Sequence, residues 1–253
     1  MISKAKLKEL AVYKQQKMCD EQAVFVVEGV KQCDEVLAAK CPVRVVCATN
    51  SWLLQHPGLP PNAEVIEVDD TALDRLSGLR TPNEVWMLLP RPVAQMPTAA
   101  DRLVLALDHL QDPGNLGTII RTADWFGVRH IVCSEGTVSC FNPKVVQATM
   151  GGLLRTQVVY TDLSDYLAGT DRCVYGALLD GNDIWSGSAP MRLPDEGAVL
   201  VIGNEAHGIT PEVRQRVTHR VAIPNRGGTA ESLNASVACA ILMAELFRNG
   251  RMC

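Results

Sequence analysis

The sequence predicts an α/β protein in two domains, the larger one built on a parallel sheet. Three features carry that expectation. Runs rich in β-branched residues alternate with stretches of helical period from residue 23 onwards. The apolar runs after residue 101 are uninterrupted, as strands covered on both faces are. Between the two patterns lies RPVAQMPTAA, which has two prolines, small residues and no periodicity.

Taken in order, AVFVVEG (23–29) reads as a strand, KQCDEVLAAK (31–40) as a helix and VRVVCAT (43–49) as a strand. The loop PGLPPN follows, and AEVIEVD (63–69), TALDRLSGL (71–79) and EVWMLLP (84–90) repeat the rhythm. These elements place a small α/β domain at 1–92, a linker at 93–101 and a second domain at 102–253. In the second domain, strands are expected at RLVLAL (102–107), HIVC (130–133), CVYGALL (173–179), AVLVIG (198–203) and RVAI (220–223). Helices are expected at 115–126, ended by Gly127, and at 233–247, where Leu233, Val237, Ile241 and Ala244 line one face.

The 253 residues, 47% hydrophobic and 21% charged, suit an ordinary folded chain and exclude a collagenous, coiled-coil or largely disordered one. No run approaches the roughly 18 apolar residues of a membrane span. The opening MISKAKLKEL alternates charged and apolar groups, unlike a secretory peptide, so a cytoplasmic protein with no membrane partner is expected. The nine cysteines show no CxxC spacing; they read as reduced thiols, and no metal site is expected. A net charge of −4 by itself counts against a nucleic-acid binder. The average conceals a basic arm, residues 1–17, with five lysines against Glu9 alone. After residue 92 the only lysine is Lys144, beside twelve arginines, the side chain suited to forked contact with phosphate.

Strands of an α/β sheet present ligands at their carboxyl ends, so the segments just after each apolar run matter most. DHLQDPGNLGTIIRTADWFGV (108–128), GNEAHGIT (203–210) and PNRGGTAESLNASVACAILMAEL (224–246) each place glycine, a small polar side chain and a charged group there. Each alone is equally a turn.

Together, DPGNLGTIIRTADWFGV, IGNEAHGI and IPNRGGTAESLNASVA resemble the three signature motifs of the SpoU (TrmH-like) branch of the SPOUT RNA methyltransferases, across residues 102–247. FVVEGVKQCDEVL resembles the small L30e-like substrate-binding domain that many members carry. The resemblance implies a catalytic domain whose parallel sheet is threaded into a deep trefoil knot, with S-adenosyl-L-methionine held bent among the knotted loops. It implies a homodimer with the active site at the subunit interface. The activity implied is methylation of a ribose 2′-hydroxyl in structured RNA, with ribosomal RNA (23S) favoured over transfer RNA. The alternatives are a tRNA ribose methyltransferase and a non-catalytic RNA-binding module that retains the cofactor fold. An unrelated nucleotide-binding enzyme is disfavoured by the lack of a GxGxxG fingerprint or a P-loop.

The resemblance also assigns residues. Arg121 stands at the centre of the reaction. Free guanidinium loses its proton only above about pH 12, so its expected role is to fix a phosphate and stabilise charge developing on the hydroxyl oxygen. Asn115 orients Arg121 or the ribose, or caps the following helix. Glu205 holds an arginine or a backbone donor, or is a solvated loop carboxylate. Ser232 and Asn234, at the start of a helix, contact the target nucleotide or the cofactor, with capping as the plainer role of Ser232. Gly203, Asn204, Ile223 and Leu233 match positions that hold the adenosine, and Leu179 is a weaker candidate for the adenine pocket. His207 reads as a satisfied loop residue, and Arg226 as a phosphate contact or an exposed surface group. Asn225 replaces a usual methionine, Ala235 a common valine, and the 226–230 loop is one residue longer than in many relatives.

Overall fold

The β-branched runs of the N-terminal part become β1 (Val24–Glu28), β2 (Val45–Ala48), β3 (Glu64–Glu67) and β4 (Val85–Pro90) in the computed structural model, which describes residues 2–79, 81, 83–186 and 191–248. The chain forms two compact units, one of residues 1–93 with 141–154, the other of 94–140 with 155–253. In the first, the strand order is β1-β4-β2-β3; β4 runs antiparallel to β1 and β2, and β3 is parallel to β2. The central position of β4 explains why Val85 to Leu89 are all buried.

Five helices precede the first inter-unit segment: α1 (Lys4–Ala11), α2 (Gln16–Glu21), α3 (Val30–Ala38), α4 (Asn50–Gln55) and α5 (Asp70–Leu76). The lysine-rich start is therefore not a free arm. Ser3 caps α1 by accepting the Lys6 N–H at 3.1 Å, and Leu7 and Leu10, three apart on one face, enter the core. Lys6 lies 2.9 Å from both Glu9 and Glu64, and the bond to Glu64 raises its pKa.

The second unit holds α6 (Pro113–Trp125), α8 (Leu163–Ala168), α9 (Pro211–Arg214) and α10 (Ala235–Arg248), and α7 (Pro143–Thr149) belongs to the first. Residues 141–154, which the sequence places in the second domain, thus pack with the first unit. The Phe141 ring meets Phe25 of β1 at 5.1 Å, Arg91 lies 4.7 Å over Phe141, and the Gln32 amide donates to the Gln147 carbonyl at 3.2 Å.

The second sheet comprises β5 (Leu103–Leu107), β6 (His130–Cys133), β7 (Gln157–Tyr160), β8 (Cys173–Asp183), β9 (Ala198–Ile202) and β10 (His219–Ala222). Its order is β10-β8-β9-β5-β6-β7, and every neighbouring pair is parallel, as the continuous apolar runs lead one to expect. All residues of central β5 and β9 are buried. Asp112 caps α6, with Pro113 as its first residue, and Gly127 at φ +71 ends it. The Gly127 N–H donates to Asp124 O and the Val128 N–H to Ala123 O, at 3.1 and 2.8 Å, the paired closure of a left-handed helix stop.

The eight described cysteines are free, and burial pushes the Cys47 and Cys239 thiols up to about 12; Cys253 lies outside the described residues. Among the described residues no helix is long and apolar enough to cross a membrane.

Candidate active site

At the carboxyl end of β5 the chain places Asp108, which is fully buried. A carboxylate in such a position needs hydrogen bonds on both oxygens. Its Oδ2 accepts the Thr210 N–H at 2.7 Å and the Thr210 hydroxyl at 2.8 Å, and its Oδ1 lies 2.8 Å from His109 Nδ1. The end of β5 is thereby locked to the loop after β9. His109 adopts φ +53, a conformation that side chains rarely take, and its N–H donates to Ser134 Oγ at 2.8 Å.

The loop after β9 closes on itself. Asn204 and Gly208 exchange two backbone hydrogen bonds, both 2.9 Å, while Asn204 Oδ1 accepts the N–H groups of Ala206 and His207 at 2.9 and 3.1 Å. The Asn204 amide donates to the His109 carbonyl at 2.7 Å. Gly203 permits this closure: a Cβ there would sit 2.2 Å from Gly208 C and 2.4 Å from Ile209 N.

The three motif segments meet through side chains. Asn115, buried in the first turn of α6, donates its amide to Glu205 Oε1 at 2.6 Å and accepts at Oδ1 from the Asn234 amide at 2.8 Å. Asn234 in turn caps α10, its Oδ1 accepting from Ser236 N, Ser236 Oγ and Val237 N at 3.0, 2.7 and 3.3 Å. Glu205, Asn115 and Asn234 therefore form one hydrogen-bonded chain linking the loop after β9, the start of α6 and the start of α10.

Several residue-level expectations change. Asn115 is not the helix cap, since Asp112 Oδ1 fills that role by accepting the Asn115 N–H at 2.7 Å. Its amide bonds Glu205 and Asn234, and no hydrogen bond joins it to Arg121 among the described residues. Glu205 is exposed, as a solvated loop carboxylate would be, and accepts the Asn115 amide; no bond to it from an arginine or a backbone N–H is present among the described residues. Arg121 lies on the exposed face of α6 with Thr118 and Trp125, and has no hydrogen-bond or ion-pair partner among the described residues. Six residues at about 100° each turn it well away from Asn115. Ser232 lies exposed in the loop before α10 and Asn234 does the capping. Asn225 folds the glycine-rich loop, its Oδ1 accepting the Gly227 and Gly228 N–H groups at 2.9 and 2.7 Å. Leu179 and Leu233 are 81% and 48% exposed, Ile223 is half-buried, and the His207 side chain is exposed. Arg226 stands 5.8 Å over the Trp185 ring and 3.9 Å from Asp183.

Asp108 and Thr210 were not among the sequence candidates. The signal was present: an aspartate directly after LVLAL, where a buried polar side chain needs donors from neighbouring loops.

Residues 102–244 match the SpoU rRNA methylase family, and residues 4–86 match the MRM3-like substrate-binding domain. The 23S rRNA (guanosine(2553)-2′-O)-methyltransferase RlmP of Bacillus subtilis (strain 168) is 29% identical over 223 residues, covering 88% of this chain and 88% of its own. A TrmH-family structure from Porphyromonas gingivalis is 38% identical, with a TM-score of 0.87 over 98% of this chain and 99% of that one. An AdoMet-bound rRNA methyltransferase from Sinorhizobium meliloti is 25% identical, with a TM-score of 0.85 over 98% and 96% of the two chains. With its three motif segments joined at one end of a parallel sheet and more than half its length matched, the chain belongs to the SpoU rRNA methylase family.

Proposed function

We propose that the chain transfers the methyl group of S-adenosyl-L-methionine to a ribose 2′-hydroxyl of ribosomal RNA, with 23S rRNA as the favoured substrate. One observation carries the reading: the Glu205–Asn115–Asn234 hydrogen-bonded chain draws three loops together at the edge of the sheet where α/β proteins bind ligands. The names of the Bacillus and Sinorhizobium relatives support ribosomal over transfer RNA.

The residues present suit the cofactor. Leu179 and Leu233 leave apolar surface uncovered and Ile223 is half-buried; an adenosyl group would cover these side chains, with the backbone of Gly203 and Asn204 supplying polar contacts. The cofactor, when bound, supplies a methyl already activated on a sulfonium. The protein then has to align a hydroxyl with it and stabilise charge on that oxygen. Arg121, whose guanidinium is uncommitted among the described residues, takes the phosphate of the target nucleotide and the developing negative charge. Ser232 contacts the nucleotide. Asn115, Glu205 and Asn234 act as positioning residues that hold the loops in register.

A homodimer belongs to the same reading. Trp125 and Val237, 86% and 47% exposed, lie on α6 and α10, whose ends pack through the stacked rings of Phe126 and Phe247 at 5.3 Å. A second copy covering Trp125 would bury it and draw in Arg121, one turn away on the same face of α6. The trefoil knot and a cytoplasmic location complete the proposal, which involves neither a metal nor a membrane partner.

Mass-spectrometric mapping of ribose methylation in rRNA from cells with and without the protein tests it. Loss of a single 2′-O-methyl mark on 23S rRNA is expected. An unchanged set of rRNA marks, or a mark lost only from tRNA, would overturn the assignment.

A further inference from the structure

Between Val213 and Ala230 the chain carries Arg214, Arg216, Arg220 and Arg226 together with His219 and no carboxylate, in a protein of net charge −4. The fold gathers most of this charge along one border. Arg214 ends α9, Arg216 follows in the turn, and His219 and Arg220 lie on β10, the edge strand of the six-stranded sheet; all four are exposed.

Contacts within the cluster hold these side chains in place. Arg214 Nη2 donates to Asp180 Oδ2 at 2.7 Å, and Arg220 Nη2 donates to the same oxygen, so two guanidiniums share one carboxylate. A guanidinium has five N–H donors, and each of these two gives one to Asp180. Arg216 Nε reaches Ser164 Oγ at 3.4 Å, which steadies its stem. His219 packs on the Tyr175 ring at 5.1 Å, and the Tyr175 hydroxyl donates to the carbonyl of exposed Arg192 at 2.8 Å. Charges on an edge strand also discourage strand addition, but either sign serves that purpose. Arginine in excess over carboxylate on an exposed border, with donors left over after Asp180, suits an anion with repeated oxygens. β10 then runs directly through Ile223 into the glycine-rich loop of the site, so the basic border leads to it along the chain.

We propose that Arg214, Arg216 and Arg220, with Arg192 beside them, form a docking surface for the phosphate backbone of the RNA strand next to the target nucleotide. The proposal rests on the rRNA methyltransferase reading above. It adds a binding surface, on the catalytic unit itself, for the strand being methylated.

The test is the salt dependence of binding of the full chain to 23S rRNA taken from cells lacking the protein. For a single strand, every phosphate that a protein cation neutralises adds about 0.7 to the slope of log affinity against log salt, so the Arg214→Gln/Arg216→Gln/Arg220→Gln variant should have a slope shallower by about 2. Its affinity for S-adenosyl-L-methionine, read by calorimetry, should be unchanged. Arg216→Gln alone leaves the Asp180 ion pairs intact and should make the slope shallower by about 0.7, which keeps the test valid if the triple variant fails to fold. Asp180→Asn removes the neutralising charge and should tighten RNA binding; a merely structural role for the cluster predicts weaker binding. The proposal is overturned if the wild type methylates rRNA while the arginine variants keep its slope, or if Asp180→Asn weakens binding. A wild type that neither binds nor methylates rRNA removes the underlying reading, a result distinct from both.

Discussion

Asn115 is buried and hydrogen-bonds Glu205 and Asn234, which are both exposed, so its replacement unties the three loops and leaves the freed Asn234 donor and Glu205 acceptor to water. Because water can pair the freed groups, the cost is the net worth of the lost bonds, about 0.5–1.5 kcal/mol each. Asn115→Ala should therefore lower the melting temperature by a few degrees while lowering methyl transfer roughly 10- to 100-fold, measurable by label incorporation from S-adenosyl-L-methionine. Full activity in this variant would show that the three-residue chain is scaffolding only. A second residue contributes to the acid sensitivity of the fold. Burial would raise the Asp101 carboxyl, but the Thr98 N–H and His130 Nδ1, 2.8 and 2.7 Å from it, outweigh burial and hold it below its ordinary value. A carboxylate depressed in the folded state contributes stability above its unfolded pKa of about 4, and the contribution is lost as pH falls through the folded value. Asp101→Asn should thus be less stable than wild type near neutrality, with the gap closing below about pH 4 in thermal melts. A gap that stays constant to pH 2 would refute this. The roles of Asn115 and Glu205 were only half legible from residue type: an amide and a carboxylate ninety positions apart gave no sign that they would bond to each other.

At the level of elements, the loop after β9 depends on Gly203, because a methyl group there would lie within 2.4 Å of two backbone atoms of the returning chain. Gly203→Ala should open the loop at a cost of about 1–3 kcal/mol and abolish calorimetric binding of S-adenosyl-L-methionine. Wild-type affinity would mean that this closure does not shape the cofactor site. Strands were the most legible elements, since β5 and β9 are continuous apolar runs and their burial follows directly. Among the short elements the outcome was mixed: four-residue β6 and β10 were legible, and β7 was not. β7 is four residues long, half-buried at the sheet edge, and carries no run that stands out from its surroundings. α1 was hidden by its lysines, whose charge drew attention from the Leu7 and Leu10 spacing that fixes it to the core. α7 shows a different limit: its apolar residues mark it as buried, but nothing in them says which of two units it covers.

For the whole molecule, the parallel sheet and the order of its motifs were readable because each motif follows a strand, whereas the homodimer is expected from resemblance alone and stays a proposal. The exposed Trp125 on α6 gives the homodimer a physical test. Trp125→Glu places a charge in the proposed interface and should yield monomers in sedimentation velocity, with methyl transfer abolished as well if Arg121 works at a shared site. A dimeric Trp125→Glu protein would move the interface elsewhere. The most direct measurement is the chemical position of the transferred methyl: purified protein, rRNA lacking its marks and isotopically labelled S-adenosyl-L-methionine, followed by digestion to nucleosides. Label in one 2′-O-methylnucleoside from the wild type, and almost none from Asn115→Ala, is the expected result; label on a base, or none from the wild type, would contradict it.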